Sequence, residues 1–181
     1  MMKKTIAFFG MVISMLQPLF GASQFNQTPY WVCFTPGGSC TSLLVDHIKK
    51  AKESIDVQVY SFTSYPIASA LKRAYDRGVK VRVIADKSNF NSKYFSFVPY
   101  MIKNHIPVYK DDRLNIAHNK VMIIDQQELE TGSFNFTKAA QVKNAENMLI
   151  IDNKELAQAY EHNFQKRLSV STLQKKEKKR N

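Results

Sequence analysis

Three consecutive segments in the first half of the chain leave little freedom for the fold. Ile55-Asp56-Val57-Gln58-Val59-Tyr60 alternates with period two, Ser64 to Arg77 places Ile67, Ala70, Leu71 and Ala74 on one helical face, and Val79 to Ala85 is a second strand run. Strand, helix and strand in that order, with Gly78 to stop the helix, make a unit whose two strands lie in one sheet under a crossing helix. The pattern continues on either side. Trp31 to Thr35 reads as a short strand, and a helix capped by Thr41 or Ser42 runs through Ala51 on Leu43, Leu44, His47, Ile48 and Ala51. Phe97 to Asn104 reads as a short helix and Ile106 to Tyr109 as a strand. His118 to Asp125 and Leu129 to Gly132 read as two strands joined at Gln126-Gln127-Glu128, Met148 to Ile151 as a buried strand, and Lys154 to Leu168 as an amphipathic helix. The expected fold is α/β, with a mixed, largely parallel sheet flanked by helices on both faces. No internal repeat is present, so any motif serves in one copy per chain.

The ends of the chain differ from this pattern. Lys3 and Lys4 precede an apolar run from Ile6 to Phe20, and Gly21, Ala22 and Ser23 follow. This is the order of a secretory signal, and cleavage after Ser23 would set Gly21 at position −3. The segment 1–23 is therefore expected to be a signal peptide or N-terminal membrane anchor, 24–30 a linker, 31–168 the folded domain and 169–181 a basic tail. Export agrees with Cys33 and Cys40, the only cysteines, which flank Pro36-Gly37-Gly38 and can close a small disulfide loop in an oxidising compartment such as the periplasm or cell envelope. A zinc site on the same cysteines would need two more ligands, and His47 is the only neighbour of the right kind. The net charge of +11 favours a polyanionic partner, a nucleic acid or an anionic membrane, although charge alone does not separate these from a basic protein that is merely soluble.

The chemistry is concentrated in His118-Asn119-Lys120-Val121-Met122-Ile123-Ile124-Asp125 and the following Gly132-Ser133-Phe134-Asn135. Strand residues two apart share a face, so His118 aligns with Lys120, and Ser133 with Asn135. An imidazole, a fixed cation, a hydroxyl and an amide can all address one phosphate. Glu146 is a candidate to fix the imidazole tautomer. This set resembles the HKD motif of the phospholipase D superfamily. The context Glu130 to Thr137, with the later Asn144-Ala145-Glu146-Asn147, is similar to that of its small one-motif bacterial endonucleases. The likeness runs from about Val32 to Leu168.

That resemblance implies a phosphodiesterase with no metal or other cofactor, in which His118 forms a phosphohistidine. Lys120, Ser133 and Asn135 would hold phosphate, Glu146 would orient His118, and Asp125 would be structural. It also implies a homodimer, since two motifs meet in one site and this chain has one. The expected substrate is DNA, with single strands favoured, and RNA is a further candidate. The rivals are a lipid hydrolase and a non-catalytic nucleic-acid binder, and the N-terminal segment could add membrane association. Outside the motif, His47, His105 and His162 read as structural or solvated. Asp111 and Asp112 are adjacent and so poorly placed to converge on a metal. Tyr94, Phe95, Phe97 and Tyr100, beside Lys93 and Lys103, could stack bases or cover the sheet or the dimer seam.

Overall fold

The computed structural model describes residues 28–175, so the signal-like segment and the last six residues of the tail lie outside the described residues. The chain runs β1 (Tyr30–Thr35), α1 (Cys40–Lys50), β2 (Ser54–Val59), α2 (Tyr65–Asp76), β3 (Lys80–Asp86), a 3-10 turn (Lys87–Phe90), α3 (Val98–Lys103) and β4 (Val108–Asp111). It continues through β5 (Lys120–Ile124), β6 (Glu128–Gly132), α4 (Lys138–Val142), β7 (Glu146–Asp152), α5 (Lys154–Val170) and β8 (Thr172–Gln174). The ordered fold thus passes Leu168, because α5 goes on to Val170 and β8 pairs with β4.

All eight strands form one sheet in the order β1-β7-β6-β5-β2-β3-β4-β8. The expectation of a largely parallel sheet is corrected here. Only β2–β3 and β3–β4 are parallel, and the other five pairs are antiparallel. The parallel pairs are those joined by a crossing helix, α2 or α3. Beyond β4 the chain turns back on itself instead. Asp125 and Gln126 both have φ of 52°, and the Gln127 amide donates to the Ile124 carbonyl at 3.0 Å, a tight turn within the connection Asp125-Gln126-Gln127 that forces β5 and β6 antiparallel. Alternation of helix and strand in the first half therefore misstates the second half.

The sheet is buried on both faces, which explains its strands. On one side Ile55, Val57, Val59, Val81, Val83, Met122, Ile124, Met148 and Ile150 join Leu44, Ile48, Ile67, Leu71 and Met101 from α1, α2 and α3. On the other, Ile84, Val121, Ile123 and Leu129 pack against Ala157 and Phe164 of α5. The Arg82 guanidinium ties α5 to the sheet by donating to Asp56 at 2.6 and 2.7 Å and to Glu161 at 3.2 Å. Burial lifts the Asp56 carboxyl to about 6 although Arg82 pulls it down.

Two further polar groups serve the frame. The Asp125 carboxylate accepts from the backbone amides of Lys52, Glu53 and Ser54 at 2.8–3.2 Å, fixing the entry of β2 beside the end of β5. Cys33 and Cys40 form a disulfide. The loop it closes is pinned to α4, where Thr41 N donates to Gln141 and Gln141 donates to Gly38 O, each at 2.8 Å.

Glu130 is the anomaly of the core. It lies between Met122 and Ile150, 1 % exposed, with neither carboxyl oxygen hydrogen-bonded. Burial without a partner pushes its pKa well above the usual carboxylate range. The folded chain therefore keeps a proton that the unfolded chain releases. Stability contributed at low pH falls as pH rises through the unfolded value, by ~1.4 kcal/mol per unit for one proton, until the folded value is passed. Urea unfolding of wild type and Glu130→Gln from about pH 5 to 7 should show the variant gaining relative stability as pH rises. Parallel curves would mean that Glu130 ionises alike in both states.

Candidate active site

The motif residues converge where β5 begins and β6 ends. His118, Asn119, Lys120, Val121, Thr131, Gly132, Ser133, Asn135, Glu146 and Tyr160 line one cavity of about 480 Å3. His118 precedes β5 rather than lying in it, and its imidazole is exposed. Tyr60 N donates to Asn119 O at 2.9 Å, which anchors the approach to β5 against the exit of β2. Earlier in the same loop, Ala117 N donates to the Asp86 carboxylate at 2.8 Å.

Lys120 is the first residue of β5 and is 6 % exposed. Its ammonium donates to His118 O at 2.7 Å and stands 3.0 Å from His118 Nδ1. An ammonium has no lone pair, so Nδ1 accepts and the proton of a neutral His118 sits on Nε2. Desolvation lowers the Lys120 pKa, and the nearby Glu146 carboxylate partly restores it. The Tyr60 ring completes the pair, 4.5 Å from the His118 ring and 5.1 Å from the Lys120 Nζ.

Ser133 and Asn135 are placed by their neighbours. Phe134 and Phe136 are fully buried, and Phe136 packs edge-on to Phe62, so the alternate residues are turned towards the cavity. Gly132 lets this segment approach β7, since a Cβ there would run into the Asn147 carbonyl. That carbonyl accepts from Ser133 N and Phe134 N at 3.0 and 3.2 Å. Ser133 Oγ donates to Glu146 at 2.6 Å, and Asn144 donates to the other Glu146 oxygen at 2.9 Å. Glu146 therefore holds Ser133 in this chain and makes no hydrogen bond to His118 among the described residues. The buried Asn135 Oδ1 has no partner there.

The remaining expected residues lie elsewhere. Asp125 follows the far end of β5, about 17 Å from Lys120 at strand rise. His47 is 3 % exposed, bonded through Nδ1 to Glu128 at 2.7 Å and packed against Trp31 at 4.6 Å. It borders a separate small cavity with Asp125 and Glu128. His105 and His162 are exposed. Asp111 is paired with Arg167 and Asp112 with Lys110. Among the described residues no group of three His, Cys, Asp or Glu could hold a metal ion. Sequence reading missed Tyr60 and Tyr160. The first looks like the end of a strand pattern and the second like a helix position, and only the packing brings Tyr60 against His118 and Tyr160 to the cavity.

A nucleophile or acid, a buried cation, a hydroxyl and an amide around one open cavity suit the attack on, and charge stabilisation of, a phosphodiester. The family model described as "Cardiolipin synthase, PLD-like domain" matches residues 44–168. A protein of Rickettsia conorii named "Phospholipase D" is 43% identical over 145 residues, 80% of this chain and 72% of that protein. The crystal structure of Nuc, a phospholipase D family member from Salmonella typhimurium, superposes with a TM-score of 0.78 at 36% identity, covering 83% of this chain and all (100%) of that one. NucT from Helicobacter pylori gives 0.72 at 29% identity over 82% of this chain and 100% of its own. The chain therefore belongs to the phospholipase D superfamily, as a hydrolase of phosphodiester-type bonds.

Proposed function

We propose that this hydrolase needs no metal and cleaves nucleic-acid strands through His118, in a site completed by a second copy of the chain. The convergence of His118, Lys120, Ser133, Asn135 and Glu146 on one cavity carries this reading. In the tautomer with its proton on Nδ1, His118 attacks phosphorus through Nε2 and the bond to the leaving oxygen breaks. The second copy's imidazole gives that oxygen its proton, then takes one from the water that opens the phosphohistidine. Lys120, Ser133 and Asn135 hold the non-bridging oxygens. Asp125, three amides deep in a turn, is structural.

Hydrolysis of a phospholipid headgroup is the second reading, and the comparisons back it better. The Rickettsia relative bears the name phospholipase D, and the matching family model is described as a cardiolipin synthase domain. The charge of +11 suits either polyanion. Likeness to Nuc and NucT supports nucleic acid. Export, by the signal-like segment 1–23, fits the Cys33–Cys40 disulfide. Among the described residues no helix is long and apolar enough to cross a membrane, so membrane association rests on the N-terminal segment.

Matched single- and double-stranded DNA, RNA and phosphatidylcholine, digested in EDTA, decide the substrate. Cleavage of a nucleic acid in chelator, faster on single strands, is expected, whereas hydrolysis of lipid alone would hand the site to the second reading. His118→Ala should abolish turnover of every substrate without loss of fold. His47→Ala should instead lower the unfolding midpoint, since it strands the Glu128 carboxylate, and keep kcat near wild type. The reverse outcome would make His47 the nucleophile.

Shared sites give a further test. Wild type and His118→Ala, fully exchanged in equal amounts, should retain about a quarter of the wild-type activity, the share of dimers with two intact chains. Retention of one half would mean that each chain acts alone.

Lys120 sets the alkaline limit. Its lowered pKa means that the phosphate-binding ammonium is present at low pH and lost as pH rises, so kcat/KM should fall before a free lysine would titrate. Lys120→Arg should lose activity at neutral pH through its changed geometry but carry no such limb. An alkaline limb that persists in the variant would belong to another group.

A further inference from the structure

A trough runs along the loops that follow β2 and β3, separated from the catalytic cavity by the Tyr60 ring. It begins at Tyr60, whose ring packs on His118. Tyr60, Thr63, Asn89, Tyr94 and Phe95 border its first part, and Thr63 and Phe95 are shared with the larger second part. Thr63 lies within ~11 Å of Tyr60 by chain length. The second part, about 630 Å3, is bounded by Ser64, Tyr65, Phe95, Phe97 and Lys138.

Two features of its lining point to one kind of ligand. The first is aromatic. Tyr65, Tyr94 and Phe95 are 58 %, 64 % and 69 % exposed. Phe97 stands 5.7 Å from Tyr65 and 5.0 Å from Phe95, bracing both rings. The second is a set of unmet donors. The amides of two lining residues, Tyr65 at the start of α2 and Ser42 at the start of α1, have no hydrogen-bond partner among the described residues. No acidic side chain stands in the first turn of either helix. Independently, the Ser64 hydroxyl lines the trough at 4 % exposure, makes no cap hydrogen bond and has no other partner among the described residues. Lys138 adds a cation at the rim.

We propose that the trough seats one nucleotide of the substrate strand beyond the cleaved bond. Its phosphate lies on the α2 amides, the Ser64 hydroxyl and Lys138, and its base lies on Phe95 and Tyr65. Helix N-termini with free amides favour a phosphate, and exposed rings accept any base. An acyl chain in the same place would strip water from Ser64 and the amides and return no hydrogen bond. A base can reach the rings only when unpaired, so the trough selects single strands. The inference rests on the nucleic-acid reading above.

The test compares full-length protein with Phe95→Ala/Tyr65→Ala and with Lys138→Gln on three substrates in EDTA: bis(p-nitrophenyl) phosphate, a single-stranded oligothymidine, and vesicles of phosphatidylcholine with phosphatidylglycerol. The small diester probes the catalytic cavity alone. For the double variant, kcat/KM on the oligonucleotide should fall roughly tenfold per ring, mainly through KM, with the small diester unchanged. For Lys138→Gln, the slope of log kcat/KM against log salt should become shallower by about one. Wild-type rates of the double variant on the oligonucleotide would overturn the trough while leaving the nucleic-acid reading in place. Equal losses on both soluble substrates would reduce the rings to a structural role. Loss on vesicles alone would make them a lipid contact. A wild-type protein that cuts vesicles and no oligonucleotide would remove the trough and the nucleic-acid reading together.

Discussion

Lys120 begins a strand in which every side chain is buried, Val121 and Ile123 towards α5 and Met122 and Ile124 towards the helices of the opposite face. An ammonium cannot be buried there without acceptors. It finds the His118 carbonyl, the His118 imidazole and the face of Tyr60. The rest of the site follows from this placement. The imidazole is held by the cation proposed to bind phosphate, and the ring that packs on both comes from the end of β2, whose register with β5 pairs Val59 with Lys120. The Asp125 carboxylate fixes that same strand pair at its other end by binding Lys52, Glu53 and Ser54. His, Lys and Asp of the motif are thus spaced by β5, the first two where it begins and the third just past its other end.

Local patterns carried much of the fold. Period two and period 3.6 located β2, α2 and β3 within a residue or so, because each is buried on a defined face. The Cys33–Cys40 pairing was legible from a spacing that leaves few alternatives. Sheet direction was not, because it depends on how strands return. The Asp125-Gln126 turn has no glycine to announce two left-handed residues, and β1 and β8 join the sheet by pairings with β7 and β4 that are remote in sequence. Site chemistry was legible where residue type and spacing are both special, as in His118, Lys120, Ser133 and Asn135. It was hidden where an ordinary tyrosine becomes functional by packing alone. Burial of an acid is not legible in the same way: Glu130 sits between Met122 and Ile150 on the core face of the sheet.

The hydrogen bonds also bear on why one chain is insufficient for the proposed reaction. In this chain His118 Nδ1 accepts from Lys120, which leaves a neutral ring with its proton on Nε2. That form cannot attack phosphorus with Nε2, and it can give a proton to a leaving oxygen only once Nδ1 is protonated as well. Attack needs the other tautomer, with Nδ1–H donated to an acceptor. Glu146 is the nearby carboxylate, but both its oxygens are occupied, one by Ser133 and one by Asn144. A single copy in this arrangement is thus not set up as the attacker. An attacker requires either release of Glu146 from Ser133, whose hydroxyl is then free to bind phosphate, or a second copy in the alternative arrangement. Binding of a phosphodiester to Ser133 would do the first. The substrate itself would then select which imidazole attacks, and two identical chains would take opposite roles without any difference in sequence.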